Sequence, residues 1–265
     1  MIDERAQRAR SAIERVSVEP SRRCSKGCSF CYNGSNAAGD GAWSADDLVA
    51  FAKSAAEGGV QVISFGGGEP LEWRPLFDVL GATDGVLART MTTNGLLLDD
   101  HLDALVAARP DKVHVSIHAP ENPREVARVA RQVDALSRRG VASGVNLLVR
   151  SSRLDDAAGA ARSLHDAGIA NDRIVYLPMR GEDTPSPRDV ARVAGGPFQS
   201  MTCLAACGKS PRFASIDASR RAAWCSYTTT RRALASPTYA SLVDALDGLG
   251  LAPCDKLLTK IALAR

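Results

Sequence analysis

The chain has 265 residues, 45% of them hydrophobic and 24% charged, and its 33 basic and 30 acidic residues leave a formal net charge of +3. That length suits one large core, or a core with a small appendage, and the composition is that of a globular protein rather than a disordered or fibrous one. The balanced charge gives no support to a nucleic-acid partner, no apolar run approaches the roughly 18 residues of a membrane span, and the charged start Met1-Ile2-Asp3-Glu4-Arg5 has no secretory h-region, so the expected compartment is the cytoplasm.

Short apolar runs alternate with longer helical patterns along the chain. Ile13 to Val18 reads as a strand that delivers Cys24 a few residues later. Ala45 to Ala56 is helical, and Val60 to Phe65 is a strand ending in Gly66-Gly67-Gly68-Glu69-Pro70. Thr90 to Thr93 is a strand ending in Asn94-Gly95, followed by a helix over Leu102 to Ala108. Val113 to Ile117 is a strand ending in His118-Ala119-Pro120, and Pro123 to Arg139 is a strong helix. Val141 to Val149 is a strand, Asp155 to Ala167 a helix, and Arg173 to Leu177 a strand running into Pro178-Met179-Arg180-Gly181. Strands alternating with helices imply parallel βαβ units, and six such strands predict an α/β fold, a partial (β/α)6 barrel over residues 13–185. The loop Gly181 to Pro187 is the candidate boundary, and residues 186–265 form a small C-terminal extension of short β-like pieces with helical stretches near Thr238–Leu249 and Asp255–Leu263.

Seven cysteines need explaining in a chain with no export signal, where disulfides are rare. Cys24, Cys28 and Cys31 are early, Cys203, Cys207, Cys225 and Cys254 are late, and none lies between, which suggests two metal centres. Three thiolates can converge on one centre but cannot complete it. A zinc site wants four ligands, and a four-iron cluster has one cysteine per iron in its all-Cys form. Either a distant fourth residue closes a zinc site, for which His118 is a candidate, or one position stays open for something else to bind and react.

The run Cys24-x3-Cys28-x2-Cys31, with Phe30 in the aromatic place before the last cysteine, resembles the radical S-adenosylmethionine (SAM) superfamily. The resemblance implies a [4Fe-4S] cluster on Cys24, Cys28 and Cys31 whose open iron chelates SAM. Electron transfer into the sulfonium then yields methionine and a 5'-deoxyadenosyl radical that abstracts hydrogen from the substrate. Gly66-Gly67-Gly68-Glu69-Pro70 is similar to the family's Gly-Gly-Glu-Pro segment, which implies that Gly67, Gly68 and Glu69 hold the SAM amino group. Strand alternation turns His114, Ser116 and His118 away from the apolar face of Val113, Val115 and Ile117, and it groups Gly144, Asn146, Leu148 and Arg150 in the same way. Ser116 and Asn146 match family places that bind the ribose or carboxylate of SAM, and the resemblance implies that Thr92 or Asn94 adds to them. His118 is either a substrate or SAM contact or a loop cap. Arg150 and Arg180 either hold a carboxylate or phosphate or are solvated.

The late set resembles the family's short auxiliary-cluster ("twitch") extension. Cys203, Cys207, Cys225 and Cys254 would then ligate a second [4Fe-4S] cluster. A zinc ion in the same thiolates, or one cysteine left as a hydrogen donor, are the other readings. The sequence departs from the family at Asp217-Ala218-Ser219-Arg220, where an Asp-Gly turn is usual. Such extensions accompany peptide-modifying members, which favours a peptide substrate and maturation by cross-linking, epimerisation or oxidation. The 23 residues before the first cysteine leave no room for a leader-binding domain of their own. A small metabolite is the alternative substrate, and a non-enzymatic electron-transfer or zinc-binding module is the alternative outside the enzyme class. The resemblance also implies an electron donor of the flavodoxin or ferredoxin kind.

Overall fold

The computed structural model describes residues 13–201, residue 204 and residues 210–251. Its elements in chain order are β1 (Arg15–Val18), α1 (Ala45–Glu57), β2 (Val62–Phe65), α2 (Leu76–Ala82), β3 (Ala88–Thr93), α3 (Leu98–Ala108), β4 (Lys112–Ile117), α4 (Pro123–Arg138), β5 (Ser143–Val149), α5 (Leu154–Asp166), β6 (Ile174–Pro178), α6 (Pro187–Ala194), β7 (Gln199–Ser200), β8 (Phe213–Ile216), β9 (Arg221–Ala223), β10 (Arg232–Ala233) and α7 (Tyr239–Leu246). The strand–helix alternation expected through Leu177 is present. The helices α2 and α6 and the short strands β7 and β10 were not expected. The helix expected at Asp255–Leu263 lies outside the described residues. Among the described residues no helix is long and apolar enough to cross a membrane. The chain divides into two compact units, one holding the described residues up to Thr92 with Asp100–Asp111 and 210–251, the other Thr93–Asp99 with the described residues from Lys112 to 204.

In the first unit β1 is central. It pairs in parallel with β2 (Arg15 opposite Val62, Val18 opposite Phe65) and, on its other edge, with β8 (Arg15 opposite Phe213, Val18 opposite Ile216). β3 extends the sheet in parallel beyond β2, while β9 and β10 continue antiparallel beyond β8. Residues 213–216 therefore contribute a strand to the same sheet as the cysteine-bearing segment. Val16, Val18, Ile63 and Phe65 on the strands and Leu48, Phe51 and Ala52 on α1 are fully buried. Ser44 caps α1 by accepting from the Asp47 amide, and Asp46 and Asp47 place negative charge at its positive end. Gly58 ends α1 where a Cβ would lie 2.2 Å from the Tyr239 ring of α7. The missing side chain lets the two helices meet, and the Tyr239 amide donates to Ser54 Oγ at 3.0 Å.

The β8–β9 hairpin explains how the sequence manages without the Asp-Gly turn. Asp217 Oδ1 accepts from the amides of Ser219 and Arg221, and Arg220 takes the left-handed conformation at φ 58°. This is a type I turn followed by a left-handed residue, a place that usually falls to glycine. The Arg220 guanidinium recovers the strain: it binds the Ala42 carbonyl at 2.6 Å, pairs with Asp47 and covers the Trp43 ring at 5.2 Å.

In the second unit β4, β5, β6 and β7 are parallel neighbours. Asn122 caps α4 and Pro123 occupies its first turn. Val126, Val129, Val133 and Leu136 recur at helical spacing on its buried face. Each contributes roughly 1.5–3 kcal/mol of burial. Ser186 and Asp189 form a reciprocal capping box at the start of α6.

Candidate active site

In the first unit the cysteines sit on the loop that leaves β1. A backbone bridge between Arg23 and Asn36 closes its neck, with the Cys24 amide donating to the Asn36 carbonyl at 2.9 Å and the Asn36 amide returning to Arg22 at 3.1 Å. Within it the Cys31 amide donates to the Cys28 carbonyl at 3.1 Å, and Gly27 (φ 56°) supplies a left-handed turn. Cys24, Cys28, Phe30 and Cys31 are all half-buried. Cys31 Sγ donates to Asn33 Oδ1 at 3.0 Å. Among the described residues no three His, Cys, Asp or Glu side chains gather closely enough to hold a single metal ion. A four-iron cluster makes a different demand, because each thiolate takes its own iron.

The Gly66–Pro70 turn is built onto this loop. The amides of Gly66, Gly68 and Glu69 donate to the carbonyls of Val18, Ser21 and Arg23 at 2.9, 2.9 and 2.7 Å. A Cβ on Gly68 would lie 2.1 Å from the Arg23 carbonyl oxygen, and one on Gly67 (φ 92°) would lie 2.5 Å from the Glu19 side chain. The close approach that these two glycines allow is thus to the chain's own Arg23 backbone and Glu19. Gly66 faces open space. Glu69 is buried, and its Oε1 accepts from the Leu71 amide at 3.1 Å, which caps the Pro70–Glu72 turn and fixes the carboxylate. Glu72 Oε1 in turn accepts from both the amide and the hydroxyl of Ser25 at 2.7 Å, tying the turn to the residue after Cys24. Sequence reasoning missed Glu72, since 47 residues separate the partners and neither belongs to a recognisable pattern.

Beside the same loop Glu19 is 1% exposed, one residue past β1. Its carboxylate accepts from the Tyr32 hydroxyl at 2.9 Å and from Asn33 Nδ2 at 3.2 Å. Burial pushes its carboxyl up, the Tyr32 and Asn33 bonds and the Arg231 charge pull it back, and Asp217 adds to the rise. Of the late cysteines, Cys225 is half-buried beyond β9, and its Sγ accepts from the Tyr227 amide at 3.4 Å. Cys203, Cys207 and Cys254 lie outside the described residues.

In the second unit Asn94 and Gly95 follow β3. Asn94 Oδ1 accepts from the Leu96 amide at 2.8 Å, and its carbonyl accepts from Arg128 at 3.2 Å. Ser116 on β4 and Asn146 on β5 are buried and directly opposite each other in the parallel register. His118, Arg150 and Arg180 stand past the ends of β4, β5 and β6, each half-buried. The His118 amide donates to Glu125 at 2.7 Å, Arg150 reaches the His118 carbonyl at 3.4 Å, and Arg180 reaches Met201 Sδ at 3.4 Å. Asp183 pins the loop beside them by accepting from both Ser151 and Ser152 side chains. Burial opposes its ionisation, but the Ser152 and Ser151 bonds and the Arg150 charge outweigh that and hold its carboxyl below the usual range.

A family model described as the Radical SAM superfamily matches residues 18–186. Among curated proteins, a GTP 3',8-cyclase of Mycobacterium sp. is 31% identical over 177 residues, covering 60% of this chain and 51% of the relative. A probable GTP 3',8-cyclase of Methanopyrus kandleri is 30% identical over 105 residues, covering 40% and 34%. The chain thus spans between a third and a half of the length of these curated relatives. Among solved structures, Streptococcus suis SuiB bound to S-adenosylmethionine superposes with TM-score 0.71 at 16% identity, covering 93% of this chain and 67% of that one. The structure of anSMEcpe with bound AdoMet and Cp18Cys peptide gives TM-score 0.59 at 12% identity, covering 86% and 80%. These likenesses bear out the α/β partial-barrel class expected from the strand–helix alternation.

Proposed function

The chain belongs to the radical SAM superfamily, and from that premise we propose that it acts on a peptide, with Cys24, Cys28 and Cys31 as the ligands of its [4Fe-4S] cluster. When bound and reduced, the cluster would supply one electron to the sulfonium of SAM, whose S–C cleavage would leave methionine and a 5'-deoxyadenosyl radical able to remove hydrogen from an unreactive carbon. The observation that carries the reading is the joint construction of the cysteine loop and the Gly66–Glu69 turn. Three soft donors lie half-buried on one loop, and the neck of that loop is hydrogen-bonded to the segment bearing a buried carboxylate. The donor set suits iron–sulfur chemistry.

Each residue then has a stated task. Cys24, Cys28 and Cys31 would each hold one iron, with Phe30 in the loop between the last two. Gly67 and Gly68 bring the turn against the loop, and Glu69, held by its cap, would accept from the SAM ammonium. Asn94, Ser116 and Asn146 present amide and hydroxyl groups for the carboxylate and ribose. His118, Arg150 and Arg180 would orient the substrate through hydrogen bonds and positive charge. Cys225, with Cys203, Cys207 and Cys254, would bind an auxiliary cluster in a C-terminal extension over residues 186–265, beside the barrel of residues 13–185. An external one-electron donor of the flavodoxin or ferredoxin kind completes the system.

Two observations support the peptide: the β8–β9 hairpin that leads to Cys225, and the likeness in fold to SuiB, which has been crystallised with its precursor peptide SuiA. The GTP 3',8-cyclase relatives favour a second reading, a small metabolite. Anaerobically reduced protein with SAM should release 5'-deoxyadenosine. With side-chain-deuterated candidate peptides the label should appear in that product. Release of 5'-deoxyadenosine with deuterium transfer only from a labelled nucleotide would replace the peptide by the metabolite, and no release under any reductant or substrate would overturn the enzyme assignment of these residues.

A further inference from the structure

Glu19 and Asp217 are buried carboxylates that each follow one of the two paired parallel strands β1 and β8. Their partners differ. Asp217 is occupied by its own hairpin, through the Ser219 and Arg221 amides and the Arg221 guanidinium, with Arg231 at 3.8 Å. Glu19 instead reaches forward 13 and 14 residues to Tyr32 and Asn33, the two residues that directly follow Cys31. Asn33 Oδ1 accepts from the hydroxyl of Ser35 at 2.7 Å and, while Cys31 is a protonated thiol, from its Sγ; once Cys31 holds iron as a thiolate, what bears on the sulfur is the fixed course of the chain through Tyr32 and Asn33 rather than that bond. From the other side the Tyr32 ring rests on the Tyr227 ring, with centroids 4.8 Å apart and planes inclined at 46°. Tyr227 is the residue whose amide donates to Cys225 Sγ.

A carboxylate is costly to bury and stays buried only where its oxygens are taken up by donors. Glu19 thereby fixes where Tyr32 and Asn33 stand, and those two residues fix the direction in which the chain leaves Cys31. The ring contact then joins this end of the loop to the segment of Cys225. We propose that Glu19 is a positioning residue for Cys31, and that the Tyr32–Tyr227 contact is the joint through which the Cys225 segment acts on the first cysteine loop. This rests on the reading of Cys24, Cys28 and Cys31 as cluster ligands. Neither Glu19 nor Tyr227 belongs to the cysteine or glycine motifs, and neither touches the substrate in this role.

The test uses the full chain, anaerobically reconstituted, as wild type, Glu19→Ala, Glu19→Gln, Tyr32→Phe, Tyr227→Ala and Tyr227→Phe. Three quantities are read: iron per chain, the electron paramagnetic resonance spectrum of the reduced protein across a SAM titration, and the thermal midpoint of the iron-free protein. Glu19→Ala, Tyr32→Phe and Tyr227→Ala should keep wild-type iron yet alter the SAM-dependent spectrum. For Glu19→Ala the SAM concentration at half-change should rise about tenfold, the scale of one or two lost hydrogen bonds at a buried site. Glu19→Gln, which keeps an acceptor for Tyr32, should fall between, and Tyr227→Phe, which keeps the ring, should lie closer to wild type than Tyr227→Ala. If Glu19→Ala does not fold, Tyr32→Phe carries the test, since it removes one hydroxyl alone. A normal wild type with unaltered spectra in all variants overturns the proposal. So does a lowered thermal midpoint with no spectral change, which marks a purely structural role. A wild type whose spectrum ignores SAM overturns the underlying reading of the cysteines, and this proposal with it.

Discussion

Glu19 ties its own protonation to folding. Burial raises its carboxyl in the folded chain, so the folded state holds that proton more tightly than the unfolded state does. The stability linked to it is complete below the ordinary value of 4.5 and is lost as pH rises through the folded value. Glu19→Gln, which cannot ionise, should therefore gain thermal midpoint relative to wild type as iron-free protein is taken from about pH 4.5 to pH 7. A gap that stays constant or narrows over that range would contradict the burial argument. At this scale the sequence was legible where chemistry has a spacing. The three cysteines form a motif within eight residues, the Gly66–Pro70 run takes its meaning from the family resemblance, and strand alternation puts Ser116 and Asn146 among the residues turned from the apolar faces of their strands. Glu19 and Glu72 do not, since an isolated glutamate has no signature until the chain folds and brings Tyr32 or Ser25 to it. Arg220 is a similar case: its left-handed φ is tolerated because Ala42 and Asp47, far upstream, receive its guanidinium.

The Gly66–Glu69 turn is an element defined by what it leans on. Gly68 is where its backbone meets the loop neck most closely, so Gly68→Ala should push the turn off Arg23 and cost about 1–3 kcal/mol of stability, the usual penalty for forcing atoms into a packed site. Denaturant titration of the iron-free protein measures it. Gly66→Ala, with open space around the new methyl, should cost far less, and equal losses at the two positions would show that the packing is not what holds the turn. Among the elements, long periodic segments were readable: α4 was expected over nearly its observed span, and the strand expected at Thr90 to Thr93 starts two residues earlier, at Ala88. The helix α2 escaped because seven residues give too few repeats of Leu76, Val79 and Leu80 for a periodicity to stand out. The helix α6 did carry a signal, the Ser186-Pro187-Arg188-Asp189 start, but its place directly after a turn-rich loop masked it. No pattern in Phe213–Ile216 says that it will pair with β1, because partner choice is a tertiary outcome rather than a local preference.

For the molecule as a whole, the two groups of cysteines make a stoichiometric prediction. Reconstituted protein should bind about eight irons per chain, and the Cys24/Cys28/Cys31→Ala triple variant about four. Iron analysis that finds none in the triple variant would mean the centres are not independent, and about four in the wild type would remove the auxiliary cluster. The family is shown by the match over residues 18–186, and the cysteine motif that gives it away was plain from the start. The substrate was not readable, because the residues proposed to face it are ordinary polar and charged groups whose meaning depends on what they meet. His118, Arg150 and Arg180 would serve a peptide carboxylate as readily as a phosphate.

The parallel pairing of β8 with β1 also has a consequence in time. Arg15 finds one neighbour at Val62 and the other only at Phe213, so a growing chain carries β1 with one edge bare through most of its synthesis. A bare edge is a template for pairing with another chain, and contacts so distant in sequence form slowly. The loop that would receive iron hangs from that half-finished strand. Metal loading before residues 213–227 arrive would meet a Tyr32 without its Tyr227, and a chain that stops short of Phe213 would keep all three early cysteines while losing one wall of their setting.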